Sequence, residues 1–296
     1  MDSGDTEQSE ARHRSNPLPQ FWGRGSRPNH FFQSLIFLGH SHLLLLYIRA
    51  MTKLSVNLNK VATLRNTRTI GIPEITHAAH LCAAAGADGL TVHPRPDQRH
   101  IRTEDVLDLA TFLRDWPGME FNIEGNPFQE FMELACRVRP TQCTLVPDSP
   151  EAFTSDHGWD LLAEGERLRP IIETLHGYGC RVSLFMDPIP EQIQRAAAIG
   201  ADRIELYTEP YAAAYSRGEG QQAVAAYASA AELAGSLGLG VNAGHDLNRE
   251  NLPLFLSAVP NVLEVSIGHA LIADALEFGL PETVRQYLGI AHRARG

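Results

Sequence analysis

Short apolar runs alternate with amphipathic stretches from Met51 to the end of the chain. Runs rich in Val, Ile, Leu or Phe predict strands over residues 54–58, 89–93, 120–124, 142–146, 181–186, 203–207, 240–243 and 262–267. Such runs suit strands covered by helices. Between them apolar residues recur at helical spacing: Ile75, Ala78, Ala79, Cys82 and Ala85, then Val106, Leu109, Ala110 and Leu113. Ile193, Ala196 and Ala197 repeat the pattern, as do Ala223, Ala226, Ala230, Leu233 and Leu237. This alternation predicts a parallel sheet with helical crossovers. The segment Ala84-Ala85-Gly86-Ala87-Asp88-Gly89-Leu90 is echoed by Ala198-Ile199-Gly200-Ala201-Asp202-Arg203-Ile204, each a helix end, a glycine turn and the next strand. A doubly wound open sheet usually has a glycine-rich turn after its first strand, whereas Asn59-Lys60-Val61-Ala62 stands here. The expected fold is therefore α/β, a (β/α)₈ TIM barrel over residues 51–296.

Four predicted strands end in chemically active side chains: Thr91-Val92-His93-Pro94-Arg95, Phe121-Asn122-Ile123-Glu124, Val241-Asn242-Ala243-Gly244-His245 and Ser266-Ile267-Gly268-His269. In a barrel these ends meet on one face, where active sites are assembled. His93 and Glu124 suit shared proton transfer, and a histidine at position 245 is a residue type that can give or take a proton near neutrality. Alternation between Ile204 and Leu206 points Glu205 into the barrel, where a carboxylate can steady a positive nitrogen. Arg95 and His100, in a loop held by Pro94 and Pro96, suit a phosphate or sugar hydroxyl. Gly268-His269 opens an apolar helix, whose N-terminus favours an anion. Asn57, Asn59, Lys60, Arg65 and Arg68 form a basic cluster around the first strand end.

The chain has 296 residues and a formal net charge of -10, which argues against nucleic acid as a partner. Its four cysteines form no CxxC pair or zinc-finger spacing, so they are expected to be reduced, buried thiols of a cytoplasmic protein with no metal. Residues 1–50 differ in character. Their start is acidic, and the apolar stretch from Phe31 to Ile48 is broken by Gln33, His40, Ser41 and His42, unlike a signal peptide or a bilayer span. The expectation is a disordered extension upstream of a true start at Met51, with an interfacial anchor as the rival.

The assembled segments resemble the pyridoxine 5'-phosphate synthase family of deoxyxylulose-dependent vitamin B6 biosynthesis. The most specific are Ala62-Thr63-Leu64-Arg65-Asn66, Gly89-Leu90-Thr91-Val92-His93, Arg99-His100-Ile101, Leu145-Val146-Pro147, Val182-Ser183-Leu184-Phe185, Val241-Asn242-Ala243-Gly244-His245 and Ile267-Gly268-His269-Ala270. The resemblance implies a TIM barrel that condenses 1-deoxy-D-xylulose 5-phosphate with 3-amino-2-oxopropyl phosphate, releasing pyridoxine 5'-phosphate, phosphate and water without a cofactor. It also implies homo-oligomers, often octamers. It places proton acceptors at His93 and Glu124, the donor at His245 and the transition-state carboxylate at Glu205. Asn57, Arg68, Gly268 and His269 would hold the amino-ketone phosphate; Arg95, His100 and Thr154 would hold the deoxyxylulose phosphate. The sequence departs from the best-known members by carrying Asn59-Lys60 for Asp-His and Asp246 for Gly, positions that also fall among the substrate contacts. Two other functions stay open: a phosphosugar lyase or isomerase using Lys60 as a Schiff base, and a non-catalytic binder of phosphorylated metabolites. The segments 94–100 and 148–158 are the expected lids.

Overall fold

Eight parallel strands close into a barrel in chain order, each hydrogen-bonded to the next and the eighth to the first. The computed structural model describes residues 51–293 apart from 151 and 153; the expectation for residues 1–50 lies outside the described residues. The strands are β1 (Lys53–Asn57), β2 (Gly89–Val92), β3 (Glu120–Gly125), β4 (Gln142–Leu145), β5 (Arg181–Met186), β6 (Arg203–Leu206), β7 (Gly240–Ala243) and β8 (Val262–Ile267). Every one lies within a residue of the bounds expected from the hydrophobic pattern.

The surrounding helices are α1 (Asn59–Asn66), α2 (Ile75–Ala85), α3 (Thr103–Phe112), α4 (Phe131–Val138), α5 (Leu161–Gly177), α6 (Pro190–Ala198), α7 (Glu209–Ser216), α8 (Gly220–Ser236), α9 (Leu252–Ala258), α10 (His269–Phe278) and α11 (Leu280–Arg293). The apolar residues at alternate strand positions, such as Leu54, Val56, Leu90, Val92, Ile123, Val182, Leu184, Ile204 and Leu206, are fully buried in one core with the helices. Burying each such side chain is worth about 1.5–3 kcal/mol. In α8 the buried face is Val224, Tyr227, Ala230, Ala231 and Ala234, which shares Ala230 with the stripe that spacing suggested; Ala223 and Leu233 are partly buried, Ala226 is exposed and Leu237 is 40% exposed. So many alanines give little contrast between faces, and the bulk of Val224 and Tyr227 decides which side packs.

The internal echo is a structural repeat. Gly86 and Gly200 adopt φ of 98° and 93°, a left-handed conformation that suits glycine. Two residues on, the Asp88 carboxylate accepts the Leu54 N–H at 2.9 Å and the Asp202 carboxylate accepts the Val182 N–H at 2.7 Å. Each aspartate thus ties its turn to the preceding strand.

Most TIM barrels fill their interior with branched aliphatic residues. Here the residues between the core positions are largely polar. Ser55 Oγ meets Thr91 Oγ1 at 2.7 Å, Asn122 donates to Thr91 at 3.4 Å, and Thr144 donates to Asn122 Oδ1 at 3.0 Å and toward Glu205 Oε2 at 3.4 Å. Toward the N-terminal ends of the strands, Glu120 pairs with Lys53 and Arg181, while Glu264 lies 3.1 Å from Arg203 and 3.7 Å from Arg181. Glu264 is only 3% exposed, so its charge depends on those partners. Arg203→Ala is expected to lower the unfolding free energy by about 3 kcal/mol, read by urea denaturation, with Arg203→Lys losing less.

Candidate active site

The polar strand ends converge. A cavity of about 550 Å³ at the C-terminal mouth of the barrel is lined by the residues singled out from the sequence except Arg65 and Arg68: Asn57, Asn59, Lys60, His93, Arg95, His100, Glu124, Thr154, Glu205, His245, Asp246, Gly268 and His269. Arg68 lies outside that wall, exposed just beyond the C-terminal end of α1. Arg65, from the same basic cluster, turns inward to a structural task. It is 7% exposed, its guanidinium forms a two-pronged pair with Asp105, and it donates to the His100 carbonyl at 3.2 Å. Asn66 donates to that same carbonyl at 2.8 Å. Together they fix the loop that carries His100.

His93 and Glu124 end adjacent strands, with His93 Nδ1 3.8 Å from Glu124 Oε2 and both side chains almost buried. Asn59 Oδ1 accepts the His93 backbone N–H at 2.9 Å and holds that strand end in place. Burial, followed by the charges of Arg95, His100 and Arg99, pushes the His93 imidazole well below its ordinary value and keeps it neutral. Burial and the nearby Asp148 push Glu124 up to about 7. A neutral imidazole beside a carboxyl that titrates near neutrality can accept and return protons with little driving-force penalty. Glu205, 4% exposed, is pushed well above the usual carboxylate range by burial and by Glu124 and Glu264. A positive charge formed beside it would restore its ionisation.

His245 follows β7. Its Nε2 meets Thr154 Oγ1 at 3.0 Å, its ring packs edge-on to Tyr207 with centroids 5.3 Å apart, and its carbonyl accepts the Thr208 hydroxyl at 2.6 Å. A Cβ on Gly244 would sit 2.2 Å from the Ser266 carbonyl oxygen, so only glycine lets the chain cross β8 on its way to His245. Val146, Phe185 and Tyr207 form a small apolar cluster. Phe185 and Val146 contribute directly to the cavity wall.

Cationic and N–H-rich groups gather at two places around the mouth, after β8 and after β2. At the first, Gly268 precedes α10 and packs against Asn57, whose Cβ and Cγ would each lie 3.2 Å from an added Cβ. The first-turn N–H groups of a helix lack intrahelical acceptors and favour an anion there. At the second stand Arg95, Arg99 and His100. The Ile101 N–H donates to His100 Nδ1 at 2.9 Å, leaving Nε2–H as the outward donor of the neutral ring. Asp148 was not singled out from the sequence, although it too closely follows a strand. Its carboxylate pairs with Arg95 and accepts the Ser155 hydroxyl at 2.8 Å. Arg95 and Arg99 each donate to the Ala152 carbonyl at 3.0 Å, so the two expected lid segments are tied together. Of the cysteines, Cys82, Cys143 and Cys180 are buried and Cys136 partly so, all as free thiols. Among the described residues no group of three or more His, Cys, Asp or Glu is arranged to hold a metal ion, and no helix is long and apolar enough to cross a membrane.

Burial, with the charges of Arg95, Lys60 and Arg99, pushes His100 down from 6.5 to about 4. The unfolded chain therefore binds a proton here that the folded chain refuses, and stability falls as pH drops from about 6.5 to about 4. His100→Gln is expected to flatten the fall in melting temperature across that window; an unchanged slope would place the acid sensitivity elsewhere.

The architecture resembles that of distant solved structures, including a Mycobacterium tuberculosis tryptophan synthase (TM-score 0.57, 11% identity, 83% of this chain and 94% of that one), a likeness of fold alone. Sequence relatives are much nearer. A protein of Albidiferax ferrireducens named "Pyridoxine 5'-phosphate synthase" is 59% identical over 242 residues, covering 80% of this chain and 96% of its own length. One of Xanthomonas campestris pv. campestris strain B100 with the same name is 55% identical over 246 residues, covering 81% and 96%. The family model described as "Pyridoxal phosphate biosynthesis protein PdxJ" matches residues 54–293, which contain the whole barrel and its cavity. This chain belongs to the PdxJ family.

Proposed function

We propose that this chain makes pyridoxine 5'-phosphate by condensing 1-deoxy-D-xylulose 5-phosphate with 3-amino-2-oxopropyl phosphate. The observation that carries the proposal is the meeting of His93, Glu124, Glu205 and His245 in one cavity flanked by two sets of anion-binding groups. Two phosphorylated substrates need two such sets, held apart so that the reacting carbons meet between them.

In this scheme the amine of one substrate attacks the ketone of the other. His93 and Glu124 move the protons as water leaves, and Glu205 steadies the positively charged nitrogen. Phosphate leaves the deoxyxylulose half, and a second attack closes the ring with His245 as proton donor. Asn57, the Gly268-His269 turn and Arg68 are assigned to the amino-ketone phosphate. Arg68 must swing in to take part, since it lies outside the cavity wall. Arg95, His100, Thr154 and the altered pair Asn59-Lys60 are assigned to the deoxyxylulose phosphate. For Arg95 this means exchanging its bond to Asp148 for one to phosphate. Lys60 is exposed at the rim rather than enclosed in an apolar pocket, a poor setting for a Schiff-base amine. We further assign catalysis to residues 51–296 and place the enzyme in the cytoplasm as a homo-oligomer; light scattering and the activity of a chain starting at Met51 test the assembly and the boundary.

Incubating the protein with both substrates is expected to yield pyridoxine 5'-phosphate. His93→Ala and His245→Ala are expected to lower kcat by at least about 100-fold while leaving the circular dichroism spectrum unchanged. Tight binding of either ester without any product would sink the proposal, and borohydride trapping at Lys60 would favour the lyase alternative.

A further inference from the structure

The Asp246 backbone is held in an unusual state. Its φ is +62°, in the left-handed region that side chains rarely adopt. The loop around it is pinned from both sides. Thr208 donates to the His245 carbonyl at 2.6 Å, Asn251 to the Asp246 carbonyl at 3.1 Å, and the Leu247 N–H to the Gly244 carbonyl at 3.0 Å. Asn251 is 1% exposed, so this anchorage is part of the core. Glycine would meet this geometry without strain. An aspartate kept in such a position directs attention to what its carboxylate does.

That carboxylate faces the imidazole before it. His245 Nδ1 is buried without a hydrogen-bond partner of good geometry, and Asp246 Oδ2 lies 3.3 Å from it. At that separation the two groups are within reach of a hydrogen bond. The other ring nitrogen, Nε2, meets Thr154 in the cavity wall. The contact with His245, followed by the charges of His269 and Lys60, holds the Asp246 carboxyl below the usual range, so it is a carboxylate at neutral pH. An aspartate at Nδ1 and a working atom at Nε2 is the arrangement that fixes tautomer and ring orientation in acid–base histidines.

We infer that Asp246 is a positioning residue for His245, holding its Nδ1–H so that Nε2 is aimed at the substrate, and that it acts through the imidazole rather than by touching phosphate. The inference rests on the proposed role of His245 as proton donor. To donate, the ring must first take up a second proton at Nε2; Asp246 then faces a cationic imidazole, and once Nε2 has passed its proton to the substrate the neutral ring keeps the Nδ1–H directed at the carboxylate.

The test compares Asp246→Gly and Asp246→Asn with the wild-type full chain. Asp246→Gly removes the carboxylate and the backbone strain together, so its melting temperature is expected to equal or exceed that of the wild type, which separates lost function from lost folding. Both variants are expected to lower kcat on the order of 10- to 100-fold, less than for a fully buried triad aspartate because Asp246 is partly exposed. KM for each phosphate ester is expected to change by less than about threefold, the mark of an interaction made in the transition state. Imidazole ¹⁵N spectra of the unreacted wild type are expected to show His245 as the Nδ1–H tautomer, a preference lost in Asp246→Gly. An Nε2–H tautomer in the wild type, an unchanged tautomer in the glycine variant, or a defect confined to KM would overturn the assignment. The spectra need no turnover, so they decide the pairing even if the wild type forms no pyridoxine 5'-phosphate.

Discussion

Closing eight strands into one ring forces alternate residues inward, where water cannot reach them freely and only other inward residues can satisfy them. Here that interior is polar, and everything at the mouth depends on how its groups pair. Thr91, Asn122 and Thr144 pass hydrogen bonds from strand to strand and end on Glu205, while Lys53, Arg181 and Arg203 offset Glu120 and Glu264 nearer the N-terminal ends. A carboxylate in this setting is costly to ionise, which explains why Glu124 and Glu205 both titrate high while His93, crowded by arginines, stays neutral. The enclosure that stabilises the fold therefore also tunes the acid–base groups.

The mouth shows a second level of organisation, in which loops hold one another. Arg65 and Asn66 clamp the His100 carbonyl, Arg95 and Arg99 clamp Ala152, and Thr154 reaches His245 from that same segment. Cations expected to meet phosphate are thus engaged with protein acceptors in this structure. The Arg95–Asp148 pair is the clearest case, since phosphate presents a guanidinium with the same two-oxygen geometry as a carboxylate.

Much of this was legible in the chain. Alternation and helical spacing located all eight strands, and the Gly86 and Gly200 turns were recognisable because left-handed backbone there suits glycine. The strand-end motifs were legible because a parallel barrel brings every strand's C-terminal end to one face whatever the details of packing. The Ala-rich helix α8 was misread by one position, since small side chains carry little amphipathic signal. Arg65 and Arg68 could not be told apart by composition, yet one is a buried tie to Asp105 and the other is exposed outside the cavity. Asp148 went unnoticed because its importance lies in a partner 53 residues away.

The sequence by itself determined the fold class, the strand order and which residue types would gather at the mouth, because periodicity and strand-end position are local properties that a closed parallel barrel converts into geometry. Only the tertiary structure decided which cations line the cavity and which serve the scaffold, which carboxyls are pushed up by burial, and that the Asp246 carboxylate comes within 3.3 Å of the His245 ring. Those outcomes depend on burial and on pairings between distant residues, and neither quantity exists until the chain has closed on itself.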